Sequence, residues 1–390
     1  MKISNRVRFA AKRIFAALMS CGLLLSFAAC AAEDGTSEQS SDSLLNTDTE
    51  LTAPVVTDEV SNTETEPSDP PAAKPQKPTG EKIMDIYLIA GQSNASGHTY
   101  ISDEQALYNE SISLYLGYTN VHYSGNARSD NNLNNVKPWG RLKLGLGFTS
   151  SHMGPEAGIA EALSSYYNAS SGKHAGIIKM AHGGSSVFNV TSGNNQYGNW
   201  VSPTYARELN IEYTGATGGL YRALLDQVKT SLSQLKGYGY TGVNIKGMYW
   251  MQGETDRENP VEYKRVFQIF VNDLRNDLSA VLKEYTGTND DCGASDMPIF
   301  VGTICESFYL QSTNGDTTVN KTFIEMQKTL PEVVENCYVV DNSQYAMTIV
   351  QDNGTIITID DRSGAGHWNQ TNAFTIGKNV GAAMLASFAE

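Results

Sequence analysis

The chain has 390 residues, enough for two or three average domains, and carries a formal net charge of −14. Forty per cent hydrophobic residues, 35 glycines and 20 tyrosines exclude fibrous and repeat architectures and describe ordinary globular material. The acidic balance, with no basic cluster beyond the first residues, argues against nucleic acid as a partner.

At the N-terminus Lys2, Arg6, Arg8, Lys12 and Arg13 precede an apolar run over residues 14–29 that ends at Cys30. Charge followed by an apolar stretch too short for a comfortable membrane span reads as a secretory leader. Leu25-Ser26-Phe27-Ala28-Ala29-Cys30 resembles a bacterial lipobox, in which the cysteine becomes the lipidated first residue of the mature protein. Phe27 stands where leucine is usual, which leaves ordinary signal-peptidase cleavage after Ala31 open. The expectation is a leader over residues 1–30, lipid attachment at Cys30, and a membrane-anchored extracytoplasmic location. Residues 31–81 hold twelve acidic residues against two lysines. Such a segment cannot bury enough apolar surface to offset its ordering, so it is expected to be a disordered tether.

Residues 82–390 then form one domain, ample to bury a core. Its cysteines, Cys292, Cys305 and Cys337, allow one disulfide and a thiol or three thiols. No Cys-x-x-Cys or His-x-x-x-His spacing is present, so zinc is not expected.

The β-branched apolar run at 83–90 stops at Gly91, and Gln92-Ser93-Asn94 follows before Gly97, which predicts a buried strand emptying into a tight turn. A serine there has its hydroxyl at the rim of a sheet, so Ser93 is the candidate nucleophile. Residues 97–151, rich in Tyr, Asn and Ser, show little helical periodicity and read as an inserted loop or small hairpin over the site. Gly154-Pro155-Glu156 opens a helix to about residue 167. A strand at 175–181 ends in His182-Gly183-Gly184-Ser185-Ser186; a loop carrying Trp200 and a helix over 218–235 follow. The strand at 243–251 ends in Gln252-Gly253-Glu254-Thr255-Asp256, and 260–285 is a long amphipathic helix. Strands at 298–304 and 337–340 flank a helix near 321–330, and a last helix covers 370–388. This alternation implies a mostly parallel sheet covered on both faces, with ligand beyond the carboxyl ends of its strands.

The polar clusters after the first three strands should meet there. Serine catalysis needs a base, an acid to orient it and donors aimed at the oxyanion. Gly183-Gly184 offers a backbone N–H, Gln252 a side-chain amide, Glu254 a carboxylate, and His367, in Ser363-Gly364-Ala365-Gly366-His367-Trp368, a base. His98 competes with His367 for that role, and His182 follows a buried strand. His122, His152 and His174 read as surface or loop residues. Asp256 reads as a brace of its turn. Trp139, Trp200 and Trp368 are candidates to stack on sugar faces or to pack in the core.

Gly91-Gln92-Ser93-Asn94, Gly183-Gly184-Ser185-Ser186, Trp250-Met251-Gln252-Gly253-Glu254-Thr255-Asp256 and the late His367 resemble the SGNH hydrolases, and more closely the sialate O-acetylesterase-like carbohydrate esterases, which include acetylxylan esterases. The resemblance implies a three-layer α/β/α sandwich with a flavodoxin-like sheet, and deacetylation of sugar hydroxyls through an acyl-serine intermediate without metal or organic cofactor. It implies Ser93 as nucleophile, His367 as base, and an oxyanion hole of Ser93, Gly184 and Gln252, with Gly183 replacing Gly184 if the turn shifts by one. The family commonly has an aspartate three residues before the histidine, where this chain has Gly364. Glu254 is then the expected acid, with Asp361 the alternative and Asp360 also nearby. The partner implied is an acetylated glycan, its identity set by loops 97–151 and 185–218. A surface glycan-binding lipoprotein without turnover, and an esterase acting on lipids or simple esters, are the competing readings.

Overall fold

The computed structural model describes residues 82–125, 138–188 and 198–388. The expected leader, lipobox and tether lie outside the described residues, as do parts of both loops expected to set specificity. In chain order, β1 (Ile83–Gly91) runs into the one-turn helix α1 (Ser93–Ser96). Next come β2 (Thr99–Tyr100), α2 (Glu104–Glu110), α3 (Ile112–Leu116), β3 (Val121–Gly125), β4 (Gly140–Arg141), β5 (His152–Met153) and α4 (Pro155–Ser164). The chain continues through β6 (His174–Ala181), α5 (Pro203–Glu208), α6 (Gly219–Leu235), β7 (Gly242–Met251), α7 (Pro260–Thr286), β8 (Ile299–Gly302), α8 (Thr318–Lys328) and β9 (Cys337–Val340). A hairpin, β10 (Thr348–Val350) and β11 (Ile356–Thr358), precedes α9 (Gln370–Ala386).

The central sheet has the order β4-β3-β6-β1-β7-β8-β9, parallel except for β4. Its first strand lies in the middle: β6 pairs on one side of β1 and β7 on the other. Strand order reverses at that point, and the crevice beyond the carboxyl ends there is where open α/β sheets take ligands. From Ile86 to Ala90 every β1 residue is fully buried, as a strand covered on both faces must be. Helices α4 and α9 pack on each other in one layer, and α6, α7 and α8 form the other. The α4–α9 crossing is close enough that a Cβ on Gly377 would stand 2.4 Å from the Pro155 carbonyl oxygen.

The expectation of an inserted loop or small hairpin over 97–151 holds only in that β3 and β4 pair antiparallel, and is otherwise corrected. This stretch adds β3 and β4 to the edge of the main sheet and supplies two short helices. Helices of seven and five residues are too brief to show a 3.6-residue period. Their caps are nonetheless visible: the Asp103 side chain accepts from the Ala106 amide, and that of Ser111 from the Leu114 amide. The three domain cysteines are free thiols, two of them buried.

Candidate active site

Three strand ends meet where the candidate residues converge. Gly91 has φ 138°, and a Cβ there would lie 2.0 Å from the Met251 carbonyl oxygen, so only glycine lets β1 end this close to β7. The Gln92 amide donates to that same carbonyl at 2.9 Å, and the His182 amide donates to Gly91 O at 3.1 Å. Between these anchors α1 makes its single turn, closed by Gly97 in the left-handed region. Asn94, Ala95 and Ser96 point into the protein, leaving Ser93 half-buried at the rim.

Beneath the turn sits a buried ion pair. Lys179 on β6 donates to Glu156 Oε2 at 2.9 Å, to Ser96 O at 2.9 Å and to Leu146 O at 2.8 Å. Glu156 also accepts from the Gly154 amide at the start of α4. The turn that carries Ser93 is therefore bolted to α4.

Opposite Ser93 stands Gly183, whose Cβ position would lie 3.7 Å from both Ser93 Cβ and the His98 ring. Gly184, at φ 66°, has open space around it. Gly183 is thus the nearer of the two glycines to the serine.

His367 sits in the loop before α9, and its Nδ1–H donates to the carbonyl oxygen of Ser363 at 2.6 Å. A ring nitrogen bonded to a carbonyl must carry the proton, so Nε2 keeps the lone pair a base needs. Burial holds the His367 pKa below the ordinary histidine value, against the Ser363 hydrogen bond. The His98 ring is sandwiched between Phe148, at 4.3 Å, and His367, at 5.0 Å, and its Nδ1 bonds Ser93 O. Burial and the facing His367 push His98 down to about 3, so it is neutral at physiological pH. His98 thus bridges the serine turn and the histidine loop. The Ser93 hydroxyl and His367 are not themselves hydrogen-bonded, and such contacts commonly tighten only as substrate binds.

The carboxylates fall elsewhere than expected. Glu254 is fully buried, and its Oε1 accepts from Asn94 Nδ2 at 2.7 Å; Oε2 has no partner among the described residues. Burial pushes Glu254 up to about 7, opposed by the Asn94 hydrogen bond. The same Asn94 amide donates to Gly366 O at 3.2 Å, so Glu254 reaches the histidine loop only through Asn94. Asp361 is exposed and accepts from Thr358 Oγ1. Asp360 accepts from the Ser363 hydroxyl at 2.7 Å and from the Arg362 amide at 3.0 Å. It thereby fixes the residue whose carbonyl holds His367.

Gln252 is also committed. Its amide donates to Ser185 O at 2.9 Å and to Asp256 Oδ2 at 2.7 Å, which uses both protons of the NH₂ group. Asp256, pushed up to about 6 by burial, also accepts from the Ser186 hydroxyl and the Val187 amide. It braces two loops against each other. Trp139, Trp200 and Trp368 are 7%, 0% and 2% exposed, their indole N–H groups donating to Ser231 O, Ser185 Oγ and Tyr345 O. They belong to the core, which removes them as sugar platforms. Tyr309, 44% exposed and packed on Gly366, and Tyr100, with the Arg362 guanidinium 4.5 Å above its ring, present aromatic faces beside the histidine loop instead.

The structure therefore gathers Ser93, His98, Gly183 and His367, and directs the side chains of Glu254, Asp361 and Gln252 to other partners. Sequence reasoning missed Asn94 and Ser363 as site residues. Asn94 lay in view within the Gly-Gln-Ser-Asn string, whereas Ser363 acts through a main-chain atom, which no residue type betrays.

Residues 83–385 match the family described as carbohydrate esterase, sialic acid-specific acetylesterase. The chain belongs to this family. Its fold is shared with the solved structure of NanS, at 15% identity and a TM-score of 0.50, over 79% of this chain and 98% of that one. A carbohydrate acetylesterase from Xanthomonas citri aligns at 16% identity and a TM-score of 0.47, over 78% of this chain and 57% of that one. A protein from Arabidopsis thaliana aligns at 15% identity and a TM-score of 0.42, over 78% of this chain and 98% of that one. No curated protein matches the chain. In this carbohydrate esterase the resemblance placed Gly364 where an orienting aspartate is common, and at that loop a peptide carbonyl faces the histidine.

Proposed function

We propose that the domain hydrolyses acetyl esters on sugar hydroxyls, of the acetylxylan or sialate type, through an acyl-serine intermediate. The observation that carries this reading is a rim serine joined through His98 to a histidine whose Nδ1 is pinned by Ser363 O. His367 Nε2 takes the Ser93 proton as Oγ attacks the acetyl carbonyl carbon. The resulting oxyanion faces the first amides of α1, which have no intrahelical partner, and the Gly183-Gly184 turn. The bond to the sugar oxygen then breaks, His367 returning its proton to that oxygen. Water, deprotonated by the same nitrogen, attacks the acetyl-serine and releases acetate. Ser363 O takes the orienting place a carboxylate fills elsewhere, with Asp360 holding Ser363. Each step uses a side chain or backbone dipole of this chain.

The test is acetate release by the purified protein from acetylated xylan and from O-acetylated sialic acid. Ser93→Ala and His367→Ala are each expected to lower kcat by about 10⁴-fold or more, the scale of losing a nucleophile or base. Glycan binding that persists with no acetate release from wild-type protein would establish the binding-protein reading instead.

We further propose that Cys30 is lipidated and holds the domain at an extracytoplasmic membrane surface, on the lipobox-like run and the acidic segment after it. Cys30→Ser should move the protein from the membrane fraction to the soluble fraction with kcat unchanged. Unchanged fractionation would reject the anchor.

A further inference from the structure

The strands that carry Ser93 and Gly183 at their carboxyl ends carry a second cluster at their amino ends. A cavity of about 250 Å³ there is lined by Lys82, Met84, His122, Trp139, Arg141, His174, Leu235, Tyr238 and Tyr240, among others. Lys82 precedes β1, His174 opens β6, and His122 of β3 pairs with Arg141 of β4. Two permanent cations and two imidazoles thus face one space, in a chain whose net charge is −14.

We propose that this cavity binds the carboxylate of an acidic sugar residue. Among the described residues none lining it is a carboxylate. Among the described residues neither Lys82 nor Arg141 makes an ion pair, and the buried atoms His122 Nε2 and His174 Nδ1 have no hydrogen-bond partner. An anion seated among the exposed Arg141, the half-buried Lys82 and these two unpaired nitrogens would give each of them a partner. The rings of His122 and His174 stack at 5.7 Å, and Tyr240 meets His174 edge-on at 5.6 Å. Lys82 Nζ lies 4.0 Å above the Tyr240 ring, which holds its ammonium at the wall.

The cavity exceeds what a bare tetrahedral anion fills and falls short of a typical drug-sized site, about 300 Å³ and upward. One pyranose ring fits that interval. Tyr238, 49% exposed, supplies an aromatic face of the kind the C–H face of a sugar takes, with the buried Tyr240, Met84 and Leu235 behind it. The anion half of the proposal stands on the cluster itself; the sugar half rests on membership of a carbohydrate esterase family. A nine-residue strand at about 3.3 Å per residue separates the cavity from Ser93 by roughly 30 Å, so the two sites can hold different units of one acidic polymer.

Binding should strengthen in acid. Lys82 of the β1 approach and Arg141 of β4 line the cavity with the two imidazoles, and Asp85 and Lys173 line the adjoining hollow that shares His174 alone. Asp85 is already engaged by Asn244 and Tyr167, and Lys173 by Tyr166. Burial, with His174, Lys82 and Arg141 opposite, pushes His122 down to about 4, and burial and Lys82 lower His174. Both rings are neutral at pH 7 and gain protons, hence anion affinity, as pH falls.

The experiment is calorimetric titration of the full chain with D-glucuronate, D-glucose and inorganic phosphate at pH 5.5 and 7.5, repeated on Lys82→Gln/Arg141→Gln. Glucuronate is expected to bind more tightly at pH 5.5, glucose not measurably, and the double variant about tenfold or more weakly, as for lost charge-assisted contacts. The double variant should release acetate at the wild-type rate, because its substitutions lie far from Ser93. Phosphate binding as tight as glucuronate overturns the sugar assignment, and glucuronate binding that survives the double substitution overturns the site. Absence of glucuronate binding with acetate release intact overturns this proposal alone and leaves the esterase reading standing.

Discussion

His367 takes its orientation from a peptide carbonyl, and that separates this site from a triad at the level of single atoms. A buried carboxylate against Nδ1 would stabilise the imidazolium by charge, whereas the Ser363 carbonyl offers a dipole, held by Asp360 through the Ser363 hydroxyl. Glu254, favoured from sequence as the orienting acid, hydrogen-bonds Asn94. Glu254→Gln keeps an oxygen for Asn94 to donate to and removes only the charge. It should therefore lower kcat/KM less than about tenfold, against roughly 10⁴ for loss of a triad acid. Asp360→Ala should lower kcat more than Glu254→Gln does, with KM little changed, because it slackens Ser363 O without touching substrate. A loss of three orders of magnitude in Glu254→Gln would restore that residue to the triad.

Between the elements, Lys179 and Glu156 join β6 and α4 to the turn that presents Ser93. A buried pair stripped of one member leaves an uncompensated charge. Lys179→Met should therefore cost about 3–5 kcal/mol in a denaturation series, whereas Lys179→Met/Glu156→Leu should recover much of it. Equal losses in the single and double variants would show that packing, not charge, governs this joint. Helix α4 in turn grips α9, which begins just after His367, so both halves of the site hang on one helix pair. Much of this was legible in sequence, where β1, β6, β7 and α7 announced themselves by long apolar runs or a clear period, and their polar ends marked the site. The short pieces between residues 97 and 151 were not, because β3 and α3 have five residues each, below the length at which periodicity speaks. That a peptide carbonyl rather than a carboxylate faces His367 was hidden for another reason: it depends on loop conformations that place Asp360 under Ser363, and residue spacing alone carries no such information.

For the whole molecule, buried titratable groups of two kinds pull stability in opposite directions with pH. Burial lowers five of the six histidines: His98 to about 3, His122 to about 4, and His152, His174 and His367 also below the ordinary value. A lowered folded pKa means the native state resists the proton. The stability these groups contribute is present above the unfolded histidine value, about 6.5, and is lost as pH falls from there towards the folded values. Burial raises Glu254 to about 7 and Asp256 to about 6. Their stability is present below the unfolded carboxylate values, about 4, and is lost as pH rises through the folded ones. Five groups oppose two across the same window, so Tm should be highest near about pH 7 and fall as the solution is acidified to about pH 4. Glu262 and Asp291, held low by hydrogen bonds from Arg265 and Ser295, extend the loss to still lower pH. The minority contribution is separable. Glu254→Gln removes a group whose ionisation the fold opposes, so its Tm relative to wild type should be higher at pH 8 than at pH 5. Thermal scans of both proteins across this range decide the matter, because a wild-type Tm that climbs on acidification from pH 7 to 5 would mean the two carboxylates outweigh the histidines.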